Sequence, residues 1–118
     1  MKTVVSFNKK GKNITEPTFA DISMFSEGFA YVSDGEKWGF INAKGKFIVE
    51  HKYDVASHFS GGLAAVCVGN QWGYINIKGE EVIPLQFDAV SDFFNGAALE
   101  KKGNDCGYID KKGEFIAN

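Results

Sequence analysis

Short apolar runs, each closed by a glycine-containing turn, dominate the chain, and no segment carries a long apolar helical period. Residues 63 to 68 form one such run, followed by a Gly69-Asn70 turn and a second run over residues 72 to 76. The tetrapeptide Asn76-Ile77-Lys78-Gly79 comes next; Asn at the first position and Gly at the fourth fit a type I turn whose glycine takes the left-handed conformation. A third run extends from residue 81 to about residue 87. The pattern predicts three successive antiparallel strands. Three strands leave the chain at the wrong end to begin again, so residues 87 to 95 must return as a fourth short strand or a crossover loop. That leg spans about 20–30 Å if extended. Helix is expected to be scarce.

Strand alternation places Trp72, Tyr74 and Asn76 on one face and Gly73, Ile75 and Ile77 on the other. In the preceding strand, Ala64 and Val66 face away from Leu63, Ala65 and Cys67.

The whole pattern recurs. Trp38-Gly39-Phe40-Ile41-Asn42-Ala43-Lys44-Gly45 is followed 34 residues later by Trp72-Gly73-Tyr74-Ile75-Asn76-Ile77-Lys78-Gly79, and 34 later again by Cys106-Gly107-Tyr108-Ile109-Asp110-Lys111-Lys112-Gly113. A weaker first copy, Val4-Val5-Ser6-Phe7-Asn8-Lys9-Lys10-Gly11, stands 34 residues before Trp38. Phe25, Phe59 and Phe93 are in register, as are Gly28, Gly62 and Gly96, and Phe19, Tyr53 and Phe87. The Ala30, Ala64 and Ala98 column suggests close sheet contact. A fixed period of this length is the signature of a repeat architecture. The chain therefore reads as one all-β domain over residues 1–118, with repeats at 4–37, 38–71, 72–105 and a partial copy at 106–118. Its expected form is an antiparallel β-repeat array, either solenoid-like or open and propeller-like, the former preferred because so few copies rarely close a ring.

These residues resemble the WG-repeat family of bacterial proteins. The family pattern is met from Phe25-Ser26-Glu27-Gly28-Phe29-Ala30-Tyr31-Val32 through Tyr53-Asp54, again from Phe59 to Asp88, and in part from Phe93 to Ile116. Val4 and Val5 stand where Trp and Gly belong, and Cys106 stands for Trp, as befits end units with a single neighbour. The resemblance implies a β-repeat fold without an assigned catalytic activity, and it supplies no catalytic residues.

Composition sharpens this picture. Eleven Phe and fourteen Gly against two Pro favour strands joined by glycine turns. The net charge of −2 gathers neither nucleic acid nor an anionic membrane. All 13 basic residues are Lys, and the missing arginine removes the usual bidentate reader of guanine and phosphate. Met1-Lys2-Thr3-Val4-Val5 begins like a signal peptide, but Asn8, Lys9 and Lys10 interrupt it. No stretch reaches the length of a membrane span. The expectation is a soluble, cytoplasmic chain. Cys67 and Cys106 make no C-x-x-C pair and are expected to be free buried thiols.

Candidate chemistry is weighed against the repeat. Trp38 and Trp72 could be stacking platforms, but a recurring residue more often serves the shared core, so both are expected to pack between repeats with Phe25, Phe59, Phe93 and Tyr74. His51, His58 and Asp54 cluster in sequence, yet His51 is matched by Pro17 and Leu85 and His58 by Met24 and Asp92; no metal or cofactor site is expected. Asp54 and Asp88 could pair as acid and base of a cell-wall hydrolase, a weaker reading than two equivalent turn caps. Cys67 lies between Val66 and Val68 and lacks an activating environment. Lys9, Lys10, Lys44, Lys78, Lys111 and Lys112 sit in the same turn of each copy and could line one edge, chiefly for solubility and edge protection, with an acidic partner such as an anionic polymer as the sharper alternative.

With no nucleophile–base pair, metal set or phosphate loop, no enzyme is expected. The expected role is a binding or scaffolding module for a protein partner or for self-association, with a glycan or cell-wall polymer as the alternative ligand. Copy-to-copy variation marks the candidate surface: Tyr31, Ala65, Leu99, His58, Asp92 and His51.

Overall fold

A computed structural model of the chain describes residues 3–4, 18–19 and 21–117. Residues 5–17 and 20 of the first copy, Lys9, Lys10 and Pro17 among them, lie outside the described residues. Among the described residues every regular element is a strand, and every pairing is antiparallel.

Strands β1 (Thr3–Val4) and β2 (Thr18–Phe19) pair with each other. Three four-stranded meanders follow. The first is β3 (Asp21–Ile22), β4 (Phe29–Ser33), β5 (Trp38–Asn42) and β6 (Phe47–Tyr53). The second is β7 (Val55–Ala56), β8 (Ala64–Val68), β9 (Gln71–Ile75) and β10 (Glu81–Phe87). The third is β11 (Ala89–Val90), β12 (Ala98–Lys102), β13 (Asp105–Ile109) and β14 (Phe115–Ala117). The expected return leg is thus a fourth short strand, and it opens the next sheet. A single residue, Asp54 or Asp88, separates the last strand of one sheet from the first of the next.

The turns are built as their residues dictate. The Asn42, Asn76 and Asp110 side chains each accept two backbone N–H bonds of 2.9–3.0 Å, from Lys44 and Lys46, Lys78 and Glu80, and Lys112 and Glu114. The glycine N–H three residues on closes each turn at 2.9 Å. Gly45, Gly79 and Gly113 all take φ +83, which only glycine adopts without strain. The Trp-Gly glycine has a different reason. Between Trp72↔Phe87 and Tyr74↔Ile83, Gly73 faces three residues of a bulged β10, and a Cβ there would sit 2.5 Å from the Ile83 carbonyl oxygen. Gly39 meets β6 the same way.

The sheets stack. Paired residues share a face, so each sheet has a leading face (Ala30, Val32 and Ile41; then Ala64, Val66 and Ile75) and a trailing face (Tyr31, Trp38 and Phe40; then Ala65, Trp72 and Tyr74). The first trailing face and the second leading face meet in one core cluster with Phe59, Val49 and Tyr53. Ala65, Tyr74, Phe93, Ala98 and Ile109 form the next. Phe59 lies 4.9 Å from Phe29 and 5.3 Å from Phe40 between ring centroids, and Phe93 lies 4.7 Å from Tyr74. Ala30, Ala64 and Ala98 are buried, as close sheet contact requires. The stack is elongated, 50 × 26 × 19 Å, and no closed barrel forms among the described residues. That outline is the solenoid-like form.

Polar ties repeat along the stack. The Ser26 hydroxyl donates to the Phe59 carbonyl at 2.8 Å, and Ser60 donates to Phe93 at 2.6 Å. The Glu27 carboxylate accepts from the Gly61 and Gly62 N–H groups at 2.9 Å each.

Two sequence expectations change here. Phe25 is 42% exposed and not part of the core. Phe59 and Phe93, by contrast, are buried against the rings at the preceding positions 40 and 74. Cys106 is exposed, because it lies on the trailing face of the third sheet; Cys67, on the same face one sheet earlier, is buried. Both thiols are free.

Asp54 and Asp88 act as the equivalent turn caps the repeat suggests, but across the sheet: they accept from Gly69 at 2.8 Å and Gly103 at 2.7 Å, each 15 residues on. The Gly69 N–H and the ion pair with Lys37 hold the Asp54 carboxyl below the usual carboxylate range. A folded-state pKa below the unfolded value means a contribution fully present above about pH 4 and lost as pH falls through the folded pKa. Asp54→Asn is therefore expected to be less stable than the native chain at neutral pH and to converge on it in acid, as urea melts between about pH 7 and pH 2 will show. A constant difference across that range would rule out the ionised carboxylate as the cause.

Candidate functional site

The residues marked by copy-to-copy variation do not form one outer surface. Tyr31, Ala65 and Leu99 occupy the same trailing-face position in three successive sheets. Tyr31 is half-buried against Trp38, 5.1 Å between centroids. Ala65 is buried beneath the third sheet, so it is no part of a partner surface; its smallness makes room for Phe93 and Ala98. Only Leu99 is open, at 46% exposure. Variation in this column follows what each residue packs against.

His58 and Asp92 are brought together. His58 Nε2 lies 3.1 Å from one Asp92 oxygen, and Ser57 donates to the other at 2.8 Å, clasping the second sheet's entry loop to the third's. His51 is half-buried with its ring 5.0 Å from Phe47. The two histidines thus serve different neighbours, and no group of three His, Cys, Asp or Glu suited to a metal occurs among the described residues.

Trp38 and Trp72 are half-buried and packed against the inter-sheet clusters. Tyr74 is buried and donates its hydroxyl to the Ser91 carbonyl at 2.6 Å. Burial pushes its pKa up, so it remains a proton donor at any physiological pH. An exposed row of Trp38, Trp72 and Tyr74 therefore does not form. Burial likewise raises the Cys67 thiol, which disfavours the thiolate a nucleophile needs. Asp54 and Asp88 are each bound to a turn amide in different sheets. Lys44, Lys78, Lys111 and Lys112 are exposed on their turns.

What the sequence pattern did not single out is the trailing face of the third sheet. Leu99 and Lys101 of β12 share it with Cys106 and Tyr108 of β13. The equivalents of Tyr108 are Phe40 and Tyr74, at 0% and 1% exposure beneath the following sheet; Tyr108 is 44% exposed. Phe94 stands where Ser26 and Ser60 reach the next unit, and it is also largely exposed. A hollow of about 240 Å³ beside Leu99, Lys101 and Cys106 extends this apolar surface.

Among the described residues no helix is long and apolar enough to cross a membrane. No curated protein and no solved structure matches the chain. The WG containing repeat family matches residues 7–38, 38–72 and 72–104 in succession, nearly the whole length, and the chain belongs to that family.

Proposed function

We propose that the chain is a non-catalytic association module whose trailing face pairs with the same face of a second copy. The observation that carries this reading is Tyr108, exposed at a position where Phe40 and Tyr74 are sealed by a neighbouring sheet. Among the described residues that inter-sheet contact is made twice, and no sheet packs on the trailing face of the third. On the first sheet the leading-face residues Ala30, Val32 and Ile41 are already buried. Two copies therefore meet trailing face to trailing face, an isologous contact that closes as a dimer instead of growing into a filament. Burial of Leu99, Tyr108 and Phe94 supplies the drive.

Lys101 lies on the same face and brings like charge to the contact, so association is weak and strengthens with salt. Sedimentation over a concentration series is expected to show a reversible dimer. Tyr108→Asp abolishes it, and Lys101→Ala tightens it by roughly tenfold, as removal of one repulsive pair implies. A chain that stays monomeric at millimolar concentration in high salt defeats the proposal.

A further inference from the structure

We propose a small-ligand pocket between the second and third sheets, anchored by the carboxylate of Glu100 and suited to an organic ammonium compound. The column that contains Glu100 reads Val32, Val66, Glu100. Both valines are fully buried, and Glu100 is only 5% exposed. A carboxylate thus occupies a position the fold fills with an apolar side chain. Its Oε1 is buried without a hydrogen-bond partner. A buried acceptor left unmatched is costly, and a buried charge more so, unless something pairs with it.

A cavity adjoins the residue. Gln86 and Phe87 of β10, Glu100 and Lys102 of β12, Ile109 of β13 and Phe115 of β14 bound a cavity of about 460 Å³, with Asp105 also in its wall. That volume falls in the ordinary range for small-molecule sites. Strand alternation puts Glu100, Lys102, Asp105 and Ile109 on one face, so the carboxylate shares the cavity's side of the sheet. At the corresponding place one sheet earlier, Tyr53 replaces Phe87 and Val66 replaces Glu100, and both are fully buried.

The chemistry of the lining selects the ligand class. Lys102 is engaged by Gln86, Nζ to Oε1 at 3.2 Å, and Glu100 and Asp105 leave the wall with one excess negative charge. An ionised carboxylate only accepts, so the ligand must donate, and a cationic N–H makes the stronger bond. Phe87 and Phe115 in the wall supply aromatic, apolar surface for an alkyl body. An inorganic divalent ion would need more oxygen ligands than one carboxylate supplies.

The test is a titration of the intact chain with butylammonium, with butyrate, butanol and potassium chloride as controls, followed by amide chemical shifts. Saturable shifts confined to the amides around Glu100, Ile109 and Phe115, with butylammonium alone, are expected. Glu100→Gln should weaken binding by roughly tenfold or more, the loss of one charge-assisted hydrogen bond. Glu100→Val installs the residue of the other two copies; it should abolish binding and raise the melting temperature of the ligand-free chain. Absence of saturable shifts, or equal shifts in Glu100→Val, overturns the proposal. So does a lowered melting temperature for Glu100→Val, which would make the carboxylate structural. The pocket lies on the leading face of the third sheet, so the titration gives the same answer in Tyr108→Asp and is independent of dimer formation.

Discussion

Gly79→Ala is expected to destabilise the chain by about 2–5 kcal/mol. Two costs add. The residue sits at φ +83, where an L side chain is strained by about 1–2 kcal/mol. The added Cβ would also lie 2.5 Å from the Ile48 carbonyl oxygen and 2.7 Å from a Val49 methyl, so it must push the turn away from β6, an overpacking cost of about 1–3 kcal/mol. Gly62→Ala separates the two, because Gly62 has the same φ and open space around its Cβ position. It is expected to cost only the conformational share, about 1–2 kcal/mol. Urea denaturation of both variants checks this. Equal losses would show that the turn after β9 is not seated on the first sheet.

That seating was not visible in the repeat. The Asn-x-Lys-Gly turn was legible as a turn, because its hydrogen bonds are local and its residue types specify them. The strands over residues 64–68, 71–75 and 81–87 were legible for the same reason: alternation and glycine punctuation are properties of neighbouring residues. The stacking of one sheet on the next depends on pairs 33 to 35 residues apart, such as Ser26 with Phe59, Glu27 with Gly61 and Ser57 with Asp92. A period shows that such contacts exist without showing which atoms make them.

The candidate surface failed for a related reason. Variation among Tyr31, Ala65 and Leu99 was read as freedom from the fold, yet two of the three are packed, each against a different neighbour. Equivalent positions in a stack are not equivalent in environment: the first sheet, the middle and the last differ in what covers them. Tyr108, uncovered where Phe40 and Tyr74 are sealed, follows the same rule. Glu100 was visible as a departure from Val32 and Val66, but only coordinates show that its carboxylate stays inside and lacks a partner.

Phe93→Ala is expected to cost about 3–5 kcal/mol, the range for a fully buried aromatic truncated in place. Phe93 is 1% exposed, its ring stands edge-on to Tyr74 at 70°, and its carbonyl receives the Ser60 hydroxyl. It joins the second sheet to the third, and in a stack each unit is held only by its neighbours. The loss should therefore be uneven: amides of β12 and β13 should exchange much faster, while those of β4 and β5, two interfaces away, change little under native conditions. Two companions calibrate the effect. Phe25→Ala, at the same repeat position but exposed, should cost under about 1 kcal/mol. Trp72→Ala should fall below the Phe93 value, because Trp72 is only half-buried. Thermal melts and hydrogen exchange decide the matter. Uniform acceleration across all three sheets would mean that they unfold as one unit, and a Phe25→Ala loss as large as that of Phe93→Ala would mean that the aromatic column is buried throughout.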